Sequence, residues 1–170
     1  MLPLRQAAVI VVRPMDPGRD ADAVAEALVD SSIHHNALEP DRYEVLDPAT
    51  VADDYRRGRQ HPSGTPPAER ATLVAELDGR LVGVVDVRVA HPGGSHRPLR
   101  YGYVAEIAVA ATARRRGVGA ELLRAAEAWA RERGCTYAVL DYNVHNDDAR
   151  RFYRDRMGYR PAGEIVLKEL

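Results

Sequence analysis

An apolar, strand-like run from Tyr103 to Val109 gives way to a strongly helical one from Val118 to Arg133, and the link between them reads Arg114-Arg115-Arg116-Gly117-Val118-Gly119-Ala120. A glycine-bearing link that opens a helix leaves backbone N–H groups bare at the positive end of the helix dipole. Such a place binds anions. The three arginines add charge-assisted, potentially bidentate donors suited to phosphate. A dinucleotide fingerprint is disfavoured, because Leu122 stands where its third glycine belongs, and no Gly-Lys-Ser/Thr follows to make a nucleoside triphosphate loop. What remains is a pyrophosphate-sized anion held by backbone, with arginines around it.

A second pattern lies further on: Asn146-Asp147-Asp148-Ala149-Arg150-Arg151-Phe152-Tyr153, followed by Met157-Gly158-Tyr159. With both patterns in this order, the chain resembles the GCN5-related N-acetyltransferases. Their acetyl-coenzyme A loop reads Gln/Arg-x-x-Gly-x-Gly/Ala, which Arg114-x-x-Gly117-x-Gly119 fits, and their second signature is an Asn, a helix bearing Phe-Tyr, then Gly-Tyr/Phe. The likeness is good over Tyr103 to Pro161 and holds only in outline before it. It implies an α/β (α+β) acyl-CoA N-acyltransferase fold over residues 1–170 as a single domain, with a mixed, mostly antiparallel sheet of six to seven strands flanked by helices. It implies acetyl-CoA as co-substrate and direct transfer of its acetyl group to a primary amine. A non-catalytic acyl-CoA-binding sensor or regulatory module of the same fold is the alternative, and homodimers are common among similar proteins.

The same resemblance assigns roles. Tyr153 would point its hydroxyl at the thioester sulfur as the acid and touch the cofactor. Ile107, Ala108 and Val109 would hold the pantetheine arm and acetyl carbonyl through backbone, where the fourth strand bulges away from the fifth. Arg114, Arg115, Arg116, Gly117, Val118, Gly119 and Ala120 would bind the pyrophosphate, and Asn146 the arm, although Asn146-Asp147-Asp148 also reads as a plain helix cap. Phe152 and Tyr153 are neighbours about 100° apart on a helix, so one can pack while the other faces a cleft. Glu106 is the only acid on the strand entering the loop, which makes it the candidate general base. On a regular strand it faces away from Tyr103 and Ala105. Asp141, His145 or water are its rivals.

A length of 170 residues suits one domain with its own core. A net charge of −1 supplies no global field toward nucleic acid or membrane, and neither partner is expected. With Cys135 alone, no disulfide framework or cysteine metal cluster forms within the chain. His34-His35 reads as a polar loop rather than a metal site, so no metal is expected. The apolar run Ala7–Val12 is too short for a signal peptide or membrane span, which leaves the cytoplasm as the expected compartment.

In order, the patterns predict a strand at Ala7–Val12, a helix after Asp16 or Asp20 that breaks at Ser31–Asn36, and a short helix from Asp47-Pro48 to Tyr55. Gly58–Pro67 is a loop. Ala71–Leu77 and Leu81–Val89 flank Asp78-Gly79 as a hairpin. A loop at Ala90–Arg100 leads to the fourth strand, Tyr101–Val109. After the long helix, Thr136–Tyr142 is a fifth strand, Asp148–Arg156 a short helix and Ile165–Leu170 a last strand. The acceptor is unreadable, since the loops that choose it carry no motif.

Overall fold

The computed structural model describes residues 8–91, 93, 99–163 and 165–168, and these fall into two compact units that divide between Leu140 and Asp141. The first unit contains β1 (Ile10–Pro14), α1 (Pro17–Leu38), α2 (Pro48–Arg56), β2 (Arg70–Leu77), β3 (Arg80–Ala90), β4 (Tyr101–Val109), α3 (Val118–Glu132) and β5 (Tyr137–Val139). The strands lie in the order β1-β2-β3-β4-β5, antiparallel except for the parallel β4–β5 pair. Local chemistry sets the boundaries. Asp78 and Gly79 take φ of 53° and 80°, the left-handed pair that a two-residue hairpin turn requires. The Asp16 carboxylate caps α1 through the amides of Gly18 and Arg19, Asp47 caps α2 through Thr50, and a proline opens each helix.

Two helical layers use the two faces of the sheet. Val24, Ala27 and Leu28 of α1 and Ala52 and Tyr55 of α2 pack with Val74, Val84 and Ala108 on one side. On the other side, Leu122 and Val118 of α3 close on Gly83, where a side chain would meet Leu122 at 3.0 Å. Gly102 is tighter still: a Cβ there would stand 2.4 Å from Ala130 Cβ, so strand and helix touch only because this residue has no side chain. At the entry to α1, buried Asp20 is gripped by Arg13 at 2.6 and 3.0 Å, and Arg13 also holds Glu76 at 2.6 Å. The Arg13 hydrogen bonds keep the Asp20 carboxyl far below the usual range, against the opposing effect of burial.

In the second unit, α4 (Asp147–Arg150) runs into a π-helical segment, Arg151–Arg156. Among the described residues of the whole chain, no helix is long and apolar enough to cross a membrane.

Several expectations are corrected. The sheet has five strands among the described residues, not six to seven. Residues 165–168 form no strand, and Ile165, Val166 and Leu167 are exposed; an apolar run without a neighbouring strand cannot satisfy its amides as sheet. Glu169 and Leu170 lie outside the described residues, as do Ala7 and much of the loop expected at Ala90–Arg100. The first helix does not break at Ser31 but runs on to Leu38. Ser32 donates to the Val29 carbonyl and accepts the Leu46 amide, so tertiary bonding overrides the weak helix preference of Ser, His and Asn. His34-His35 is therefore helical, with His35 beside the Tyr43 ring. The fifth strand stops at Val139 rather than Tyr142, for a reason that concerns β4.

Gly102→Ala forces 2.4 Å of separation to open against a packed helix, and is expected to lower unfolding stability by about 1–3 kcal/mol in urea. Ala130→Gly in the same chain should recover part of that loss; a Gly102→Ala chain as stable as the parent would contradict this packing.

Candidate functional site

β4 holds one residue more than β3 opposite it. Asp86 pairs with Glu106 and Val87 with Val104, so Ala105 is an unpaired bulge. The parallel ladder to β5 covers only Tyr101–Tyr103. Beyond the bulge β4 turns off that line, which is why β5 ends early. The bulge also resets the faces. Tyr103 lies opposite Arg88 and Glu106 opposite Asp86, and Arg88 and Asp86 share a face of β3. Glu106 thus shares a face with Tyr103, contrary to the expectation for a regular strand, and turns toward α1 and α2.

There it lines a pocket of about 230 Å³ with Leu28, Leu46, Val51, Asp54, Tyr55, Gln60, Asp86 and Ala105. At its floor Asp86 is 2% exposed, and its two oxygens accept hydrogen bonds from the Tyr55 hydroxyl and the Thr72 hydroxyl. Gln60 Nε2 donates to Thr72 Oγ1 at 3.0 Å, and His61 Nε2 lies 3.3 Å from that oxygen and 3.8 Å from Asp86. Burial raises the Asp86 carboxyl to about 6, with the Thr72 and Tyr55 hydrogen bonds opposing it. Burial, then the charges of Arg70 and Arg88, push His61 down to about 4, so its ring is neutral at pH 7. The Tyr55 phenol is held far above its ordinary range, first by burial and then by the negative charge of Asp86. Tyr55, Asp86, Thr72 and Gln60 were not legible as site residues from motifs. The signal available was an acid in the middle of the valine-rich strand Leu81–Val89.

At the far end of β4 the chain passes through Ala111–Ala113 into the arginine–glycine loop. Arg115 has φ of 60°, and Gly117, the N-cap of α3, has φ of 92° with no side-chain capping bond. A Cβ on Gly117 would sit 3.7 Å from Ile10, an ordinary contact, so the backbone angle rather than space demands glycine. The amides of Gly117, Val118 and Gly119 lie in the first turn, where helical geometry leaves N–H groups facing outward, while the Ala120 amide already donates to the Gly117 carbonyl at 3.1 Å. This donor set fits a diphosphate. Arg114 does more bracing than the sequence suggests: its guanidinium donates to the carbonyls of Val109 and Asp30, at 3.2 and 3.1 Å, while the Asp30 carboxylate takes the Ala111 amide. Arg116 makes a long ion pair of 3.6 Å with Asp78. Ile107, Ala108 and Val109 occupy the stretch of β4 between loop and pocket.

In the second unit, buried Asn146 caps α4, its Oδ1 accepting the Ala149 amide at 2.9 Å. The cap role is therefore present. Tyr153 is buried and lies in the π-helical segment, where one residue more per turn re-aims side chains. Its ring meets those of Tyr142, Phe152 and Tyr159 at 5.6, 5.0 and 6.1 Å. Phe152 is the less buried of the pair, and Asp141 and His145 are exposed.

Comparisons with known proteins bear on this arrangement. Residues 34–159 match the family model described as Acetyltransferase (GNAT) family. Two relatives bear the name uncharacterized N-acetyltransferase. YhdJ of Bacillus subtilis is 37% identical over 66 residues, 39% of this chain and 46% of that protein. MJ1530 of Methanocaldococcus jannaschii is 38% identical over 88 residues, 51% of each. The chain thus spans about half the length of these relatives. Among solved structures, the aminoglycoside N-acetyltransferase AAC(6')-Iy in complex with CoA superposes with a TM-score of 0.70 at 16% identity, covering 98% of both chains. That likeness concerns the fold.

The buried carboxylate makes a measurable claim. Carbon-detected NMR should find the Asp86 carboxyl titrating near pH 6, against about 3.9 for an unperturbed Asp. Because its folded pKa is raised, its contribution to stability is complete below about pH 4 and is lost as pH rises toward 6. Titration near 4 would contradict the burial and bonding described.

Proposed function

Since this chain belongs to the acetyltransferase (GNAT) family, we propose that it moves the acetyl group of acetyl-CoA directly to a primary amine. The observation that carries this is the parting of β4 from β5 after Tyr103, on the strand that leads from the pocket through Ala111–Ala113 to the glycine loop. Val109 lies three steps along the strand from Glu106, about 10 Å at the rise of a strand. An amine held at Glu106 and a diphosphate held at Gly117 are therefore joined by one stretch of backbone, whose amides suit a pantetheine arm. The aminoglycoside acetyltransferase with the same fold, solved with CoA, supports CoA as the carrier.

A bound thioester supplies an acetyl group already activated toward attack. The chain's own residues then have modest tasks. The first-turn amides of Gly117, Val118 and Gly119, helped by Arg115 and Arg116, hold the diphosphate, and Arg114 fixes the loop that presents them. Amides of Ile107 to Val109 hold the arm and polarise the acetyl carbonyl. Glu106 takes the proton from the acceptor nitrogen as the N–C bond forms. Tyr153 gives its hydroxyl proton to the sulfur as the C–S bond breaks, and Asn146 contacts the arm. Solution in the cytoplasm as one domain, with homodimers common among similar proteins, is consistent with this role.

Tyr153→Phe should lower kcat by about 100-fold while leaving acetyl-CoA affinity within about threefold, by rates of thiol release and calorimetric titration. An unchanged kcat would remove Tyr153 from the reaction. Gly117→Val, which strains a left-handed position, should weaken acetyl-CoA binding at least tenfold; unchanged affinity would reject the loop as the diphosphate site.

A further inference from the structure

The pocket beside Glu106 has features that select an acceptor. A volume of about 230 Å³ lies below the usual range of about 300–1,000 Å³ for drug-sized ligands, so only a small molecule or one arm of a larger one enters. Leu28, Leu46, Val51 and Ala105 make its apolar wall, and its polar lining is Asp54, Tyr55, Gln60, Asp86 and Glu106 with no Lys or Arg. At the mouth, Asp54 is neutralised by Arg59 at 2.7 Å. On the floor, Asp86 is not: its partners are two hydroxyls, and the nearest nitrogen base, His61 at 3.8 Å, is neutral. Burying a carboxylate without a cation is costly. An incoming ammonium offsets that cost, and an incoming carboxylate or phosphate adds to it.

A second atom points the same way. Thr72 has one hydroxyl proton and commits it to Asp86, so it can only accept from Gln60, and this fixes the Gln60 amide with Nε2 toward Thr72. Gln60 Oε1 is then buried with no donor among the described residues. A buried acceptor of this kind takes its donor from water or from a ligand, and an N–H-rich ligand can supply it.

We propose that the acceptor of this chain is a small primary amine on an apolar arm, bearing no carboxylate or phosphate near its nitrogen, and that Asp86 with Gln60 sets this selectivity. The proposal rests on the transferase function and deepens it. Amino acids and sugar phosphates are thereby rejected by charge, and large polycations by size unless a single arm enters.

The test uses n-butylamine and norvaline, which share one carbon chain and differ by a carboxylate on the carbon bearing the nitrogen, titrated into the full chain with amide-detected NMR. n-Butylamine should bind at least tenfold tighter, with shifts at Ala105, Glu106 and Gln60. In Asp86→Asn that preference should fall below threefold. Leu46→Arg, at a side chain already 41% exposed, should fold and weaken n-butylamine about tenfold by placing a cation at the mouth. Equal binding of the two compounds, no binding of n-butylamine, or an intact preference in both variants would overturn the proposal. Acetyl-CoA titrated into the same samples separates the two ideas: no shifts at Gly117–Ala120 sinks the transferase function, whereas those shifts without amine preference sink only the acceptor class.

Discussion

One surplus residue, Ala105, sets the geometry on which the site depends. It interrupts the β3–β4 ladder, turns β4 away from β5, and rotates Glu106 onto the face covered by α1 and α2. Were Ala105 paired in a regular ladder instead, Glu106 would share the face of Val104 and point into the α3 layer, where Gly102 and Ala130 already touch. A bulge costs a ladder hydrogen bond and a packed side chain, and such irregularities persist in proteins where they re-aim a group or free a strand edge. Here it does both at once.

The interaction energies divide the first unit into a rigid frame and a costly floor. Val84, Val87, Leu122 and Leu123 are shut from solvent, and Arg13, Asp20 and Glu76 tie the start of α1 to β1 and β2 by charge-assisted bonds. These contacts stabilise. Asp86 lies in the same sheet with comparable burial, yet its neighbours are hydroxyls and a neutral imidazole, so its ionised form is tolerated rather than favoured. The frame keeps the carboxylate in place. A carboxylate held this way beside Glu106 gives the pocket a negative floor that solvent does not screen.

How much of this could be read from residues alone follows physical lines. Asp78-Gly79 and the capping aspartates act locally, so the hairpin and helix starts were legible, and Tyr101–Val109 was placed to the residue. The glycine loop was legible because a left-handed cap and bare amides need particular residues at particular spacing. What escaped depends on contacts distant in sequence. Ser32 keeps α1 helical by binding Leu46, the end of β5 is decided by a bulge in another strand, and Asp86 meets Tyr55 only after α2 folds over β3. No period or motif encodes such meetings. Ile165–Leu167 shows the converse: its composition favours a strand, but strand formation needs a paired neighbour, and residues 165–168 pair with none among the described residues.

The proposed carrier site joins β4 beyond its bulge to the first turn of α3, which together would hold a CoA thioester. Amide chemical shifts recorded as acetyl-CoA is added to the full chain test it most directly. The largest changes are expected at Ile107–Val109 and Gly117–Ala120, with the Glu106 amide following as the acetyl end arrives. Saturating acetyl-CoA that leaves those amides unmoved, or shifts a different surface instead, would contradict the proposal.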